Sequence, residues 1–173
     1  MAIVDLFIGN QLNAVDAKGR VSLPSGFRTV VETRQQRSAP EGSTAEPQKQ
    51  VTFIYNAERG CLVGFDASVA NMIMAARDAR SDPADDGDIF SLQKRDRGAL
   101  KGAWTVSYDP GGRMVMPDYL REKAGITDAA FFHGISRMFE LWNPQTYLAL
   151  QDPDDAEDQD QLAHMLRPKP KND

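Results

Sequence analysis

One stretch of this chain is written twice, and that duplication limits the folds open to it more than any other feature. Val15-Asp16-Ala17-Lys18-Gly19-Arg20-Val21-Ser22-Leu23-Pro24 returns as Tyr108-Asp109-Pro110-Gly111-Gly112-Arg113-Met114-Val115-Met116-Pro117. Asp16 and Asp109, Gly19 and Gly112, Arg20 and Arg113, Pro24 and Pro117, and Arg28 and Arg121 all stand 93 positions apart. One offset held across five polar or special residues makes a repeated Asp-x-x-Gly-Arg the unit of the protein.

Each copy has a local physical reading. Asp at the first position and Gly at the fourth suit a type I turn closed into a hairpin, with the Gly in the left-handed conformation. Pro110 presets the dihedral of the second position in the later copy. Apolar residues flank each turn, so each copy reads as two strands meeting at a tight, exposed tip. Pro24 and Pro117 then end the returning strand and open a helix, where a missing amide hydrogen does no harm. The unit is strand, turn, strand, helix.

Within 173 residues each half is small, which favours two halves sharing one core, and 41% hydrophobic content is enough to fill it. The single cysteine, Cys61, excludes an internal disulfide framework and suits a reducing cytosol. No apolar run approaches a membrane span, and Met1-Ala2-Ile3-Val4-Asp5 lacks the basic start of a signal peptide. A cytoplasmic protein is expected.

The net charge of −5 speaks against a nucleic-acid partner until its distribution is read. Residues 151–173 hold seven acids against Arg167, Lys169 and Lys171, so they carry −4 and leave about −1 for the body. A near-neutral body still binds DNA if its cations gather at protruding tips, because local field decides.

In chain order, residues 6–15 read as an irregular first strand bent at Gly9. A helix from Pro24 to about Glu32 buries Phe27, Val30 and Val31, and residues 33–50 form a mobile polar loop. Val51–Tyr55 and Cys61–Phe65 make a hairpin with Gly60 at the turn exit. Asp66 caps a helix that places Val69, Met72, Ile73 and Ala76 on one face. Residues 81–88 are an acidic linker, and Ile89 to about Ala99 is a short basic helix.

The second half repeats the plan. Strands at 103–108 and 113–116, a helix from Asp118 to Lys123 stopped by Gly125, and a hairpin through Phe131–Gly134 and Met138–Trp142 follow in order. Asn143-Pro144 matches Asp66-Ala67 at an offset of 77, which assigns about sixteen extra residues to the 33–50 loop. Residues 151–173 read as disordered for most of their length, with Leu162, Met165 and Leu166 in one weakly amphipathic turn.

Little supports catalysis. His133 and His164 are isolated, and neither stands at metal-ligand spacing from Cys61, so no metal or other cofactor is expected. No glycine-rich phosphate loop and no Ser-His-Asp or Cys-His arrangement is present, so neither an enzyme nor a small-molecule substrate is expected. Trp104 and Trp142 fall in strand patterns and read as core. Lys94-Arg95-Asp96-Arg97 reads as a solvated helix face.

Taken together, Phe7-x-Gly9, the first motif through Phe27-Arg28, the second with Leu120-Arg121 and Ala124-Gly125, and Phe139-Glu140-Leu141-Trp142 resemble the MraZ family of bacterial transcriptional regulators. The resemblance covers roughly residues 5–150. It implies an α+β fold of two tandem AbrB-like swapped-hairpin halves related by a pseudo-two-fold and sharing one core. The first repeat is then 5–80, the acidic linker and basic helix 81–97, the second repeat 98–150, and the acidic tail 151–173.

The resemblance further implies a homo-oligomeric ring, nucleoid-associated, that binds short direct repeats in the promoter of the division and cell-wall gene cluster, its own gene included. Carried over residue by residue, Lys18, Arg20 and Arg113 contact DNA, while Asp16, Gly19, Asp109 and Gly112 support the turns. Gly111 stands where Lys18 aligns, so the second turn brings one cation instead of two. Lys18, a flexible point charge, suits phosphate, and Arg28 and Arg121 suit structural or subunit-interface pairing. In the bland reading Arg20 and Arg113 only pair with Asp16 and Asp109, a weak surface contact. The competing classes are a ring scaffold that binds a protein and no DNA, and an antitoxin-like AbrB relative.

Overall fold

Pro24 and Pro117 stand at the N-caps of two helices, where Arg28 N–H donates to the Pro24 carbonyl and Arg121 N–H to that of Pro117, each at 3.0 Å. Around those two starts the chain builds two series of elements in a computed structural model that describes residues 5–80 and 87–169. The first series is β1 (Asn10–Ala14), β2 (Arg20–Ser22), α1 (Ser25–Ser38), β3 (Gln50–Asn56), β4 (Cys61–Phe65) and α2 (Ala67–Asp78). After α3 (Ile89–Asp96) comes the second: β5 (Trp104–Ser107), β6 (Arg113–Val115), α4 (Asp118–Lys123), β7 (Ala129–Gly134), β8 (Phe139–Trp142) and α5 (Pro144–Leu148). A short 3-10 turn at Pro153–Asp155 leads into α6 (Ala156–Met165). The architecture is α+β. Most of the acidic linker, residues 81–86, lies outside the described residues.

Every strand pairing among the described residues is antiparallel, and the pairings exchange partners between the halves. The main sheet runs β1-β7-β8-β4-β3-β5, and β2 pairs with β6 in a separate ribbon. Swapping each element for its duplicate turns β1·β7 into β5·β3 and β7·β8 into β3·β4, leaves β4·β8 and β2·β6 in place, and so reverses the order without changing it. The registers agree as well: Phe53 faces Gly64 as Phe132 faces Leu141. The offset is thus 79 between β3 and β7 and 77 between β4 and β8.

Fourteen of the sixteen extra residues therefore precede β3, and two lie in the β3–β4 turn. The expected 33–50 loop is also shorter, since α1 takes its first six residues by continuing to Ser38. Arg34 is the cause. It is buried, and its guanidinium donates to the Asp66 carboxylate at 3.1 Å, the Arg137 carbonyl at 3.0 Å and the Asp5 carbonyl, partners remote in sequence.

The main core draws on both halves. Phe139 is fully buried at its centre, with the rings of Phe7, Phe27, Phe53 and Phe132 at centroid distances of 5.1, 5.1, 5.8 and 6.2 Å. Gly64 is its register partner on β4, and a Cβ there would fall inside the ring's van der Waals envelope.

Three further expectations meet a different structure. The tail is not disordered from 153 to 166: α6 folds back, Leu162 is 0% exposed against Trp142 and Tyr147, and Gln159 donates to the Tyr147 and Leu150 carbonyls. One buried leucine supported by side-chain amides leaves little hydrophobic periodicity to read. On α2 only Val69 is buried, with Met72 42% exposed, because no element covers that face within the described residues. Trp142 is core, but Trp104 is 53% exposed at the open end of the edge strand β5.

Candidate nucleic-acid interface

Both repeated motifs form the turn their residues demand. Gly19 N–H donates to the Asp16 carbonyl at 2.9 Å and Gly112 N–H to that of Asp109 at 2.8 Å, with Gly19 at φ 76° and Gly112 at φ 85°. The Asp16 carboxylate accepts from Lys18 N–H and Arg20 N–H, each at 2.9 Å, and from Arg20 Nε at 2.5 Å. Asp109 accepts from Arg113 N–H at 2.9 Å and pairs with Arg113 Nε at 3.3 Å.

The returning strands do not fold back on their own partners as a simple hairpin would. Each pairs with the other's: Arg20 faces Val115, Val21 faces Met114, and Ser22 faces Arg113. The second turn keeps one bridge between its own flanks, Tyr108 to Met114. Side-chain alternation then sorts the ribbon's two faces. Val21 and Met114 point into the core, while Arg20, Ser22, Arg113 and Val115 are exposed together. The two arginines lie on one diagonal of this face, a spacing of roughly 7–8 Å in antiparallel pairs. The sequence indicates two separate tips; the structure merges them into one cationic ribbon face.

Behind the face, each turn is braced by the other half. Leu23 N–H donates to the Gly112 carbonyl at 2.8 Å and Met116 N–H to that of Gly19 at 2.9 Å. Arg28 donates to the Pro110 carbonyl at 2.8 Å and lies where a Cβ on Gly112 would be, 2.7 Å away. Arg121 lies 3.3 Å from the corresponding point on Gly19 and pairs with Asp118 at 2.8 Å. Glycine is required here for close approach as well as for its φ. Arg28 and Arg121 are half-buried structural braces within the chain.

Of the expected site residues, Lys18, Arg20 and Arg113 are exposed and at or beside the ribbon, and Asp16, Gly19, Asp109 and Gly112 form the turns beneath them. Ser22 and Val115 belong to the same face and were not singled out. Their signal was the alternation around buried Val21 and Met114.

Arg20 N–H, then the Arg20 guanidinium, then Lys18 N–H keep the Asp16 carboxyl below its ordinary 3.8. A depressed carboxyl contributes order that is complete above its ordinary value and is lost as pH falls through the lowered folded value. In Arg20→Ala the guanidinium goes but both N–H donors stay. A 13C titration should therefore show the Asp16 carboxyl rising from its wild-type midpoint and still ending below 3.8; a midpoint at or above 3.8 contradicts the backbone contribution.

Burial pushes the Cys61 thiol up to about 12, which removes it as a nucleophile at neutral pH. Among the described residues no group of His, Cys, Asp and Glu could hold a metal, and no helix is long and apolar enough to cross a membrane.

Similarity to known proteins reaches most of the chain. The sequence model of the MraZ protein family, described as antitoxin-like, matches residues 99–167. The transcriptional regulator MraZ of Gluconacetobacter diazotrophicus is 35% identical over 144 residues, covering 82% of this chain and 80% of the relative. That of Rhodospirillum rubrum is 34% identical over 143 residues, 83% of each chain. That of Parvibaculum lavamentivorans is 33% identical over 150 residues, 83% of this chain and 79% of the relative.

Proposed function

The chain belongs to the MraZ family, and from that premise we propose that it is a sequence-specific DNA-binding transcriptional regulator whose reading element is the β2–β6 ribbon. The observation that carries this is the meeting of Arg20 and Arg113 on one exposed ribbon face. A two-stranded ribbon fits the major groove, and an arginine there donates two hydrogen bonds to guanine O6 and N7. Turn geometry requires Asp and Gly; it has no need of arginine at the same place twice.

We read the strand exchange between halves as the AbrB-like swapped-hairpin arrangement, here built within one chain. Lys18, exposed beside the ribbon, suits a phosphate contact that sets register without reading sequence. One ribbon face supplies modest discrimination, so several copies on a ring meeting short direct repeats gain through effective concentration. Repression of the division and cell-wall gene cluster, the chain's own gene included, is the regulatory role this reading assigns.

The test is fluorescence anisotropy of the full chain on the DNA upstream of its own gene, at increasing salt. Binding should weaken along a straight line in log salt, with each neutralised phosphate adding about 0.9 to the slope. No complex at low salt would remove DNA from the function and favour the protein scaffold.

A further inference from the structure

A groove in the first half is the duplicate of a closed core in the second. It lies between α1, β3, α2 and β5, and Thr52, Phe65, Ala70 and Thr105 are in its wall. At the offsets fixed by strand pairing, these four match Phe131, Trp142, Tyr147 and Leu12. Phe131, Trp142 and Tyr147 make the smaller core cluster that Leu162 of α6 closes, with Leu12 packed against it. At every one of the four positions the groove has the smaller or more polar residue, Thr105 being contributed by β5 of the second series. The result is a seat like that of α6 but opened to a groove of about 340 Å³, on the order of ten water volumes.

A helix with nowhere to go stands in the same molecule. α3 follows α2 in chain order as α6 follows α5, and it is well capped, with Asp88 accepting from Phe90 N–H at 2.7 Å and Ser91 N–H at 3.0 Å. Yet it buries no residue: Ile89 is 73% exposed, Phe90 76% and Leu92 43%. An apolar cluster left this open marks a contact surface. Within its own chain α3 does not enter the groove: Leu100 and Ala103, just after α3, line it, but no α3 residue does. Arg77 donates to the Arg95 carbonyl and Asp78 pairs with Arg95 at 3.5 Å, which ties α3 to the last turn of α2. Ala67 and Ala70 line the groove at the first turn, on the order of 11–16 Å away along the helix axis.

We propose that the Ile89–Phe90–Leu92 side of α3 docks into this groove on a second copy of the chain, taking the place that α6 takes in the other half. This deepens the assembly part of the function proposed above and rests on it. The contact joins two different surfaces, so each copy both offers a helix and receives one, the kind of interface that closes into rings.

Sedimentation of the full-length chain tests it. The wild type should sediment as a multimer. Ile89→Asp with Phe90→Asp should fall to single-chain mass with an unchanged thermal melt, because those side chains are exposed in the protomer. Ala70→Tyr, which gives the groove the bulk of its duplicate, should do the same by the opposite route. An equimolar mixture of the two variants should then form a two-chain complex, since one keeps the groove and the other the helix. Either variant holding wild-type mass, or a mixture that stays single, overturns the docking while leaving the assembly reading intact. A wild type that is single at every concentration overturns both.

Discussion

Phe139→Ala should lower the free energy of unfolding by about 3–5 kcal/mol, the range for removing a large buried aromatic side chain. The ring is fully buried, so the whole side-chain volume becomes a cavity. Its neighbours cannot close that cavity cheaply. Phe7 belongs to the chain before β1, Phe27 to α1, Phe53 to β3 and Phe132 to β7, so collapse would need four separately anchored segments to move together. Phe139→Leu keeps more volume and should cost distinctly less. Urea unfolding at fixed pH measures both, with an unchanged slope showing that stability alone has moved. Loss should be cooperative across the molecule, because the same ring contacts elements of both halves. A cost under about 1 kcal/mol, well short of that range, would mean that the shared core does not centre on this residue.

How much of this was legible follows from where the information sits. The turns were legible because Asp, Gly and Pro act locally: the positive φ at Gly19 and Gly112 and the hydrogen bonds to Asp16 and Asp109 each need only a few consecutive residues. The N-caps at Asp66 and Asn143 were legible for the same reason. The pairing of β2 with β6 was not. Two three-residue strands carry no pattern naming a partner some ninety positions away, and the constant offset announces a duplication without saying that its copies exchange strands. That exchange matters most for function, since it converts two cationic turns into one surface.

The other gaps are of the same kind. Alternation placed Trp104 in the core, which holds for a strand covered along its length; β5 is an edge, and its first residue runs past the cover. Arg34 looked like one more charge in a polar loop, although three remote backbone and carboxylate partners make it a buried strut that extends α1. α6 was hidden because its docking rests on Leu162 and on the tethers of Asp155, Asp158 and Gln159, so its acidic composition read as a solvated tail.

Arg20→Ala and Arg113→Ala should each weaken binding to the cognate site by about 1–3 kcal/mol, the worth of one bidentate arginine–guanine contact. That is roughly 5- to 150-fold per substitution. Because the two residues share a ribbon face, the double variant need not show the sum of the single effects, and a double-mutant cycle measures their coupling. Each arginine also has a carboxylate neighbour, Asp16 at 2.5 Å and Asp109 at 3.3 Å, so binding a base must share or displace that pair. Arg113 is the more exposed of the two and makes the longer ion pair, so it is the freer to turn toward DNA. Lysine at either position keeps the charge and loses the planar fork. Arg→Lys should therefore preserve affinity for random DNA while erasing preference for the cognate site, whereas Lys18→Ala should weaken both alike and shallow the salt dependence. Competition anisotropy with cognate and scrambled duplexes separates these outcomes. If folded Arg20→Ala and Arg113→Ala both retain full preference, the ribbon face is not the reading surface, whatever else the chain binds.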